Sequence, residues 1–96
     1  MKKVGEDMSK VFRALSDPTR REILALLRDR DMTAGEIAEQ FDISKPAISR
    51  HLEILKEAEL VSSEKKGLYR IYSINLTVLQ ETLSGFMNLF KKENDE

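Results

Sequence analysis

The sequence contains no cysteine and no tryptophan, and His51 is the single histidine among its 96 residues. Without cysteine, the chain can form no disulfide and offers no thiolate nucleophile or thiolate metal ligand. One histidine supplies no imidazole cluster for a metal ion, and no acid, base and nucleophile are spaced as a catalytic set. These absences argue against an enzyme, and they predict neither a catalytic residue nor a cofactor.

Long apolar runs and a strong net charge are absent too. No stretch approaches the ~18 apolar residues that span a membrane, and the first residues do not form a signal-peptide pattern, so we expect a soluble, cytoplasmic protein. The formal net charge of −1 argues mildly against nucleic acid. Residues 44–74, however, hold six lysines and arginines against four glutamates, a local charge of +2. DNA binding would therefore depend on a local basic face.

The apolar residues that are present follow helical spacing in the first third of the chain, which we interpret as one domain over 1–96. A first helix is predicted over 4–15, with an apolar side formed by Val4, Met8, Val11, Phe12 and Leu15. Asp17 is placed to cap a second helix, and Pro18 suits its first position. The second helix is expected to end near 28–31, with its apolar side at Ile23, Leu24, Leu26 and Leu27.

Residues 33–58 have the pattern of a helix-turn-helix. Thr33 and Glu36 form a T-x-x-E capping box at the start of a third helix. A turn is predicted at 40–43. Such turns usually need a residue that tolerates positive φ, and Asp42 is expected to take that place instead of glycine.

The fourth helix and the segment after it extend this pattern to a winged helix-turn-helix. Ser44 caps the helix, and a stripe facing the core is formed by Ile48, Leu52 and Leu55. Strands are predicted at 60–64 and 69–74, with Gly67 supplying the tight turn between them. The segment 60–74 is therefore predicted to be a β-hairpin, or wing.

The helical period returns after the wing, and a last helix is predicted over about 75–91. Its broad apolar face is formed by Leu76, Leu79, Leu83, Phe86, Met87 and Phe90. The predicted fold is mainly α with a small β-hairpin, a winged helix-turn-helix with additional N- and C-terminal helices. Those two helices, about 4–15 and 75–91, are expected to form a dimer interface.

Three stretches of the sequence resemble the ArsR/SmtB family of bacterial transcriptional repressors. They are ALSDPTRREILALL at 14–27, TAGEIAEQFDISKPAISRHLEILKEAELV at 33–61, and EKKGLYRIYSI at 64–74. The resemblance covers nearly the whole chain and is nearest to a cysteine-free branch that includes an autorepressor. It implies a homodimer that binds an operator in double-stranded DNA and blocks transcription, with autoregulation as in that branch.

The sequence departs from the metal-sensing members of the family it resembles. Those members carry a Cys-x-Cys-type pair on the helix corresponding to 33–40, where this chain has Gly35, Glu36 and Ile37. Others use Asp/His clusters on the last helix, which here has no histidine. We therefore expect no metal site and no metal sensing. The alternatives for an input are a regulatory protein partner, including one located at the membrane, and no input at all.

The predicted DNA contacts lie in the N-terminal half of the fourth helix, at the start of the third, and on the wing. They are Thr33, Ser44, Lys45, Pro46, Ser49, Arg50, His51, Lys65, Lys66 and Arg70. Glu53 and Glu57 would be repelled by phosphate, so contacts should stop near Arg50 and His51. Thr33 has a sufficient role as a helix cap. His51, at the edge of the core stripe, is either a packing residue or a DNA contact.

A second copy of the chain is the expected protein partner. The candidate interface residues are Met8, Phe12, Leu79, Leu83, Phe86, Met87 and Phe90. These residues would otherwise belong to the core of a single chain. We favour a dimer because one helix-turn-helix contacts too few bases, whereas two half-sites about 34 Å apart double the contacts. The alternative function is a winged-helix module that binds another protein, which the near-neutral charge favours slightly.

Overall fold

A computed structural model describes residues 4–91, with side-chain contacts described from Met8 onward. Its elements are α1 (Val4–Leu15), α2 (Pro18–Asp29), β1 (Met32–Thr33), α3 (Ala34–Ala38), α4 (Lys45–Glu57), β2 (Val61–Lys66), β3 (Tyr69–Ile74) and α5 (Leu76–Asn88). This order confirms the predicted winged helix-turn-helix with an additional helix at each end. Residues 1–3 and 92–96 of the predicted domain, and the side chain of Val4, lie outside the described residues.

The predicted caps of α2 and α4 are confirmed. The Arg20 backbone N–H donates to Asp17 Oδ2 at 3.1 Å, and the Ala47 N–H donates to Ser44 Oγ at 3.2 Å. Each bond satisfies one of the N–H groups that have no partner within the first turn of a helix, and such a cap stabilises a protein by about 1 kcal/mol. Short polar residues therefore fix where these two helices begin.

The turn between α3 and α4 differs from the prediction at Asp42. Within residues 4–91, positive φ occurs only after α4 and in the wing turn, so Asp42 does not adopt it. The turn instead closes through ordinary backbone, with the Gln40 N–H donating to the Ile37 carbonyl at 2.9 Å. Because α3 ends at Ala38 and α4 begins at Lys45, the chain has room to reverse without a left-handed residue.

The left-handed residue lies at the other end of α4. Glu59 has φ of 64°, and its N–H donates to the Lys56 carbonyl at 2.9 Å. The following N–H, of Leu60, donates to the Leu55 carbonyl at 3.0 Å. These two bonds define a Schellman motif, in which glycine is the usual residue at the left-handed position. The motif ends α4 and turns the chain directly into β2.

The sheet has three strands in the order β1-β3-β2, all antiparallel. The predicted hairpin is confirmed, although β2 runs from Val61 to Lys66 and so ends two residues later than predicted. Lys66 pairs with Tyr69, which leaves a two-residue turn whose first residue, Gly67, has φ of 61°. The third strand, β1, is a further difference, since two residues are too short for an alternating pattern to reveal.

The core lies where α1, α2, α3, α4 and the sheet meet. Its fully buried side chains include Ile23, Leu27, Ile37, Ile48, Leu52 and Leu55. Burial of each such side chain stabilises the fold by roughly 1.5–3 kcal/mol. By contrast, α5 contributes no buried residue. It lies along α1, where the rings of Phe12 and Phe86 meet edge to face with centroids 4.9 Å apart.

Candidate nucleic-acid interface

The first two turns of α4 present polar side chains to solvent from a firmly packed helix. The predicted contacts Ser44, Lys45, Pro46, Ser49 and Arg50 are all exposed. On the opposite side of the same helix, Ile48, Leu52 and Leu55 are at most 1% exposed. This separation holds the helix on the core and leaves its polar face open. It is the arrangement required of a helix that enters the major groove of DNA.

Lys45 lies across the gap between the two helices of the helix-turn-helix. Its Nζ is 3.9 Å from the position that a Cβ on Gly35 would occupy, and Thr33 Oγ1 is 3.8 Å from that same position. An ammonium in this place is close to the first turn of α3, which carries a partial positive charge. Lys45 therefore places a positive charge beside the start of α3.

Thr33 is occupied by its capping role. The Glu36 N–H donates to Thr33 Oγ1 at 3.1 Å, and the Thr33 N–H donates to Glu36 Oε1 at 2.9 Å. This reciprocal pair is the predicted capping box. Thr33 also lies in β1, paired with Ile71 of β3. The same residue therefore links the helix-turn-helix to the wing.

His51 points away from the open face of α4 and toward α2. Its Nδ1 lies 3.2 Å from an amino nitrogen of Arg20 and 3.9 Å from Asp17 Oδ2. Only the first distance is short enough for a hydrogen bond. Arg20 itself is buried and also donates to the carbonyls of Ala14 and Arg13, at 2.7 and 3.1 Å. The structure thus places the Arg20 side chain in the interior of the protein.

The Asp17 carboxyl beside this pair has a lowered pKa. Its partial burial acts to raise the pKa, but the hydrogen bond from the Arg20 backbone N–H and the nearby His51 and Arg20 side chains act in the opposite direction. The net effect favours the carboxylate. Asp17 thus combines a charge with its capping role at the start of α2.

The wing carries its basic residues at its far end. Lys65 pairs with Arg70 across the hairpin, and both are exposed, as is Lys66. The Arg70 guanidinium donates to Ser63 Oγ at 3.0 Å, which holds the side chain along the strand. Leu68, in the turn, is 93% exposed and was not singled out by the sequence. Its position directly after the turn glycine is the sequence feature that could have identified it as exposed.

The predicted interface residues on the end helices differ in their surroundings. Leu83, Phe86 and Met87 are exposed on α5, which ends at Asn88 and not near 91 as predicted. Phe90 is exposed two residues beyond α5, and its ring centroid lies 5.3 Å from that of Phe86. Phe12 and Leu79 are half-buried, whereas Met8 is 8% exposed in the single chain. Met8 therefore has little surface left to offer a second copy. Two further exposed apolar residues are Leu76, at the start of α5, and Leu89, directly after its end.

No helix within residues 4–91 has the length and apolar character needed to cross a membrane. The same residues also contain no group of three or more histidine and acidic side chains placed to hold a metal ion. The expectation that the protein does not sense metals stays a prediction.

Comparisons with known proteins match this architecture. The profile of the family described as "Bacterial regulatory protein, arsR family" matches residues 17–63, from the cap of α2 into β2. The transcriptional repressor SdpR of Bacillus subtilis (strain 168) is 54% identical over 89 residues, which cover 93% of this chain and 99% of SdpR. The chain belongs to the ArsR family. It is therefore a helix-turn-helix transcriptional regulator and not an enzyme.

Other members of the ArsR family share both sequence and fold with the chain. An arsenical resistance operon repressor of Staphylococcus aureus is 32% identical over 89 residues, covering 93% of this chain and 85% of that protein. A solved structure of an ArsR-like transcriptional regulator from Rhodococcus sp. RHA1 superposes with a TM-score of 0.81 at 34% identity. That match covers 88% of this chain and 79% of the Rhodococcus chain.

Proposed function

We propose that this ArsR-family protein is a homodimeric, sequence-specific repressor that acts in the cytoplasm and regulates its own gene. One observation carries the proposal. The N-terminal half of α4 exposes Lys45, Ser49 and Arg50, while the opposite side of the helix is buried in the core. An anchored helix with free donors can enter the major groove, where arginine and lysine pair with guanine and serine with either base type. The name of its relative SdpR, a transcriptional repressor, supports repression.

The charge pattern of α4 sets the depth of the proposed contact. Lys45 and Arg50 occupy its first two turns, and Glu53 and Glu57 are exposed further along. Carboxylates repel phosphate, so the C-terminal half of the helix should tilt away from the DNA backbone. We therefore assign base reading to Ser49 and Arg50, with Ser44, Lys45 and Pro46 at the groove entrance. Thr33 is assigned to a neighbouring phosphate.

The wing supplies the second proposed contact. Lys65, Lys66 and Arg70 place three cations at the end of a two-stranded arm that is joined to the helix-turn-helix through β1. Such an arm can follow the DNA backbone or enter the minor groove beside the site read by α4. These contacts position the protein and add affinity that depends on salt.

Dimerisation is proposed through α1 and α5. The exposed apolar residues of α5 form a surface that folding of a single chain leaves in water. Contiguous apolar surface of this kind marks an interaction site in soluble proteins. A two-fold dimer would present two copies of α4 to half-sites about 34 Å apart.

Binding to the DNA upstream of its own gene tests the proposal directly. If about six phosphates are neutralised per dimer, the logarithm of the binding constant should fall with the logarithm of salt concentration at a slope near −5. Fluorescence anisotropy would compare this DNA with random DNA of equal length. Equal affinity for the two would contradict a repressor and favour the alternative of a winged-helix module that binds protein.

Arg50→Ala tests base reading by α4. If Arg50 pairs with a guanine, its loss should weaken binding to the operator by about 1–3 kcal/mol and leave binding to random DNA nearly unchanged. Arg28→Ala, at an exposed arginine of α2, controls for the loss of one positive charge. An equal loss on operator and random DNA would show that Arg50 contacts phosphate only.

The proposed repressor does not use a metal ion as its signal. Relief of repression is assigned to a protein partner, including one at the membrane, or is absent. The test is operator affinity measured with and without zinc, cadmium or arsenite. A tenfold change caused by any of these ions would overturn the metal-independent proposal.

A further inference from the structure

The buried guanidinium of Arg20 joins α4 to the end of α1. Its Nε donates to the Ala14 carbonyl at 2.7 Å, and one amino nitrogen donates to the Arg13 carbonyl at 3.1 Å. Its other amino nitrogen lies 3.2 Å from Nδ1 of His51 on α4. Arg20 is 9% exposed, so these contacts are largely shielded from water. One side chain of α2 thus holds the last turn of α1 and the middle of α4 together.

The contact with Arg20 fixes the hydrogen on the His51 ring. A guanidinium has five N–H donors and no acceptor. A hydrogen bond between the two side chains therefore requires Nδ1 of His51 to be the acceptor. The neutral ring must then carry its hydrogen on Nε2. Asp17 Oδ2, at 3.9 Å, is too far to accept a hydrogen bond from Nδ1.

The contact with Arg20 adds a directional constraint to the packing of α4. Ile48, Leu52 and Leu55 already anchor the helix on the core through close packing of apolar side chains. A hydrogen bond depends steeply on distance and angle. His51 follows directly after Arg50, so a rotation of α4 that breaks the bond from Arg20 also displaces the Arg50 side chain.

We propose that His51 is a positioning residue, which Arg20 holds through Nδ1 so that α4 meets the operator in one orientation. The inference rests on the proposed function, because it assigns α4 to base reading. His51 makes no base contact, and its place in the sequence beside Arg50 serves orientation. Loss of the Nδ1 acceptor should therefore lower the preference for operator over random DNA.

The ring tautomer can be measured without DNA. His51 is the single histidine, so the imidazole signals in a long-range ¹⁵N–¹H spectrum need no assignment. The expected spectrum is that of the Nε2–H tautomer with Nδ1 accepting a hydrogen bond. Arg20→Lys, which keeps the charge but not the fork of donors, should lose this pattern. Arg21→Lys, at the neighbouring exposed arginine, should keep it. An Nδ1–H tautomer in the wild-type protein would overturn the inference.

Two substitutions at His51 separate positioning from DNA contact. In His51→Asn the side-chain oxygen can take the place of Nδ1 as acceptor, but the donor at Nε2 is lost. In His51→Gln the longer amide can take the place of Nε2, but the acceptor at Nδ1 is lost. We expect the asparagine variant to keep the operator-to-random ratio within about threefold, and the glutamine variant to lower it by about tenfold.

The pattern of results decides between the alternatives. If His51→Gln keeps the operator-to-random affinity ratio and His51→Asn loses it, His51 contacts DNA. An equal ratio in the two variants would also contradict a positioning role. Thermal unfolding of each variant shows that affinities are compared between folded proteins. If the wild-type protein does not prefer operator DNA, the proposed function fails, whereas the tautomer spectrum still tests the bond from Arg20.

Discussion

Glu59 has a backbone conformation that residues with a side chain rarely adopt. Its φ of 64° at the end of α4 places it in the left-handed region, which costs non-glycine residues roughly 1–2 kcal/mol. The two backbone bonds of the Schellman motif hold it there. The sequence pattern placed positive φ at Asp42 instead, because a turn between two helices is the usual place for it. The position of a helix end depends on packing of the whole helix, which local composition does not encode.

Glu59→Gly should therefore stabilise the protein. Glycine removes the strain at positive φ, partly offset by its larger entropy in the unfolded chain and by loss of the interactions of the Glu59 side chain, so we expect the free energy of unfolding to rise by up to about 1 kcal/mol. Urea denaturation measures this change. Glu57→Gly is the matched control, since Glu57 is the last residue of α4 with ordinary backbone. It should destabilise by a similar amount, and equal effects of the two substitutions would contradict the strain at Glu59.

Asp17 predicts a pH dependence of stability. Its pKa is lowered in the folded protein, so the folded state favours the carboxylate. This contribution is fully present above the ordinary pKa of aspartate, near 4, and is lost as the pH falls through the lower pKa of the folded state. Asp17→Asn keeps a capping oxygen but removes the charge.

The wild-type protein should therefore be more stable than Asp17→Asn at pH 7, and the difference should shrink at pH 3 and below. Urea denaturation at several pH values gives the comparison. Asp31→Asn, at an exposed aspartate, controls for the loss of one carboxylate. A constant difference between wild type and Asp17→Asn from pH 7 to pH 2.5 would rule out the contribution of the Asp17 charge.

Local sequence patterns predicted the helix caps, but they did not predict contacts between residues far apart in the sequence. Thr33 and Ser44 were predictable because a cap depends on residues three positions apart. The bond from Arg20 to His51 joins residues 31 positions apart, and the sequence around either residue gives no sign that the two are in contact. The sequence accordingly left His51 open between packing and DNA contact.

Among the elements, the wing was predictable as a hairpin but not as part of a three-stranded sheet. The aromatic and β-branched residues of β3 and the turn glycine are local signals. Pairing of Met32 with Tyr72 depends on α2 and α3 bringing β1 alongside β3. The pairing has a structural consequence, because it ties the wing to the start of α3. The two proposed DNA-binding elements are thus held in a fixed relation.

Lys66→Ala tests the wing as an element that grips the DNA backbone. Removal of one phosphate contact per chain should weaken binding to operator and random DNA by similar factors. It should also reduce the magnitude of the salt slope by about 1 per chain, or about 2 per dimer. Anisotropy titrations from low to moderate salt would measure the slope. Lys10→Ala on α1 serves as the control. An unchanged slope for Lys66→Ala would remove the wing from the DNA interface.

For the whole molecule, the order of elements followed from the sequence. Which apolar residues of α1 and α5 stay exposed to solvent did not. The apolar pattern of α1 and α5 was compatible with an intramolecular core or an intermolecular one. The structure places Met8 largely inside the chain and leaves Leu83, Met87 and Phe90 outside. Only the packing of α5 against α1 determines this division, because both groups have the same helical spacing.

Met87→Glu tests dimerisation through α5. Met87 is 66% exposed in the single chain, so the substitution should leave the helical content unchanged. In the proposed dimer it would bury a charge without a partner, and we expect the dimer dissociation constant to rise by at least about tenfold. Sedimentation equilibrium measures the association, and anisotropy should show a parallel loss of operator affinity.

Asn88→Glu is the matched control for Met87→Glu. Asn88 is the next residue of α5, is exposed, and lies on the polar side of the helix. The added charge is therefore equally close to the end of α5. If both substitutions weaken dimerisation equally, or if neither does, the result would argue against α5 as the interface.

The absence of buried residues in α5 has a consequence for turnover of the protein in the cell. A helix that buries little against its own chain opens readily, and opened segments are where proteases cut. In the proposed dimer, association with a second copy would stabilise the helix by mass action, so chains made at low abundance would be the more vulnerable ones. The lifetime of a regulator that dimerises in this way, and not only its DNA occupancy, would rise with its own concentration.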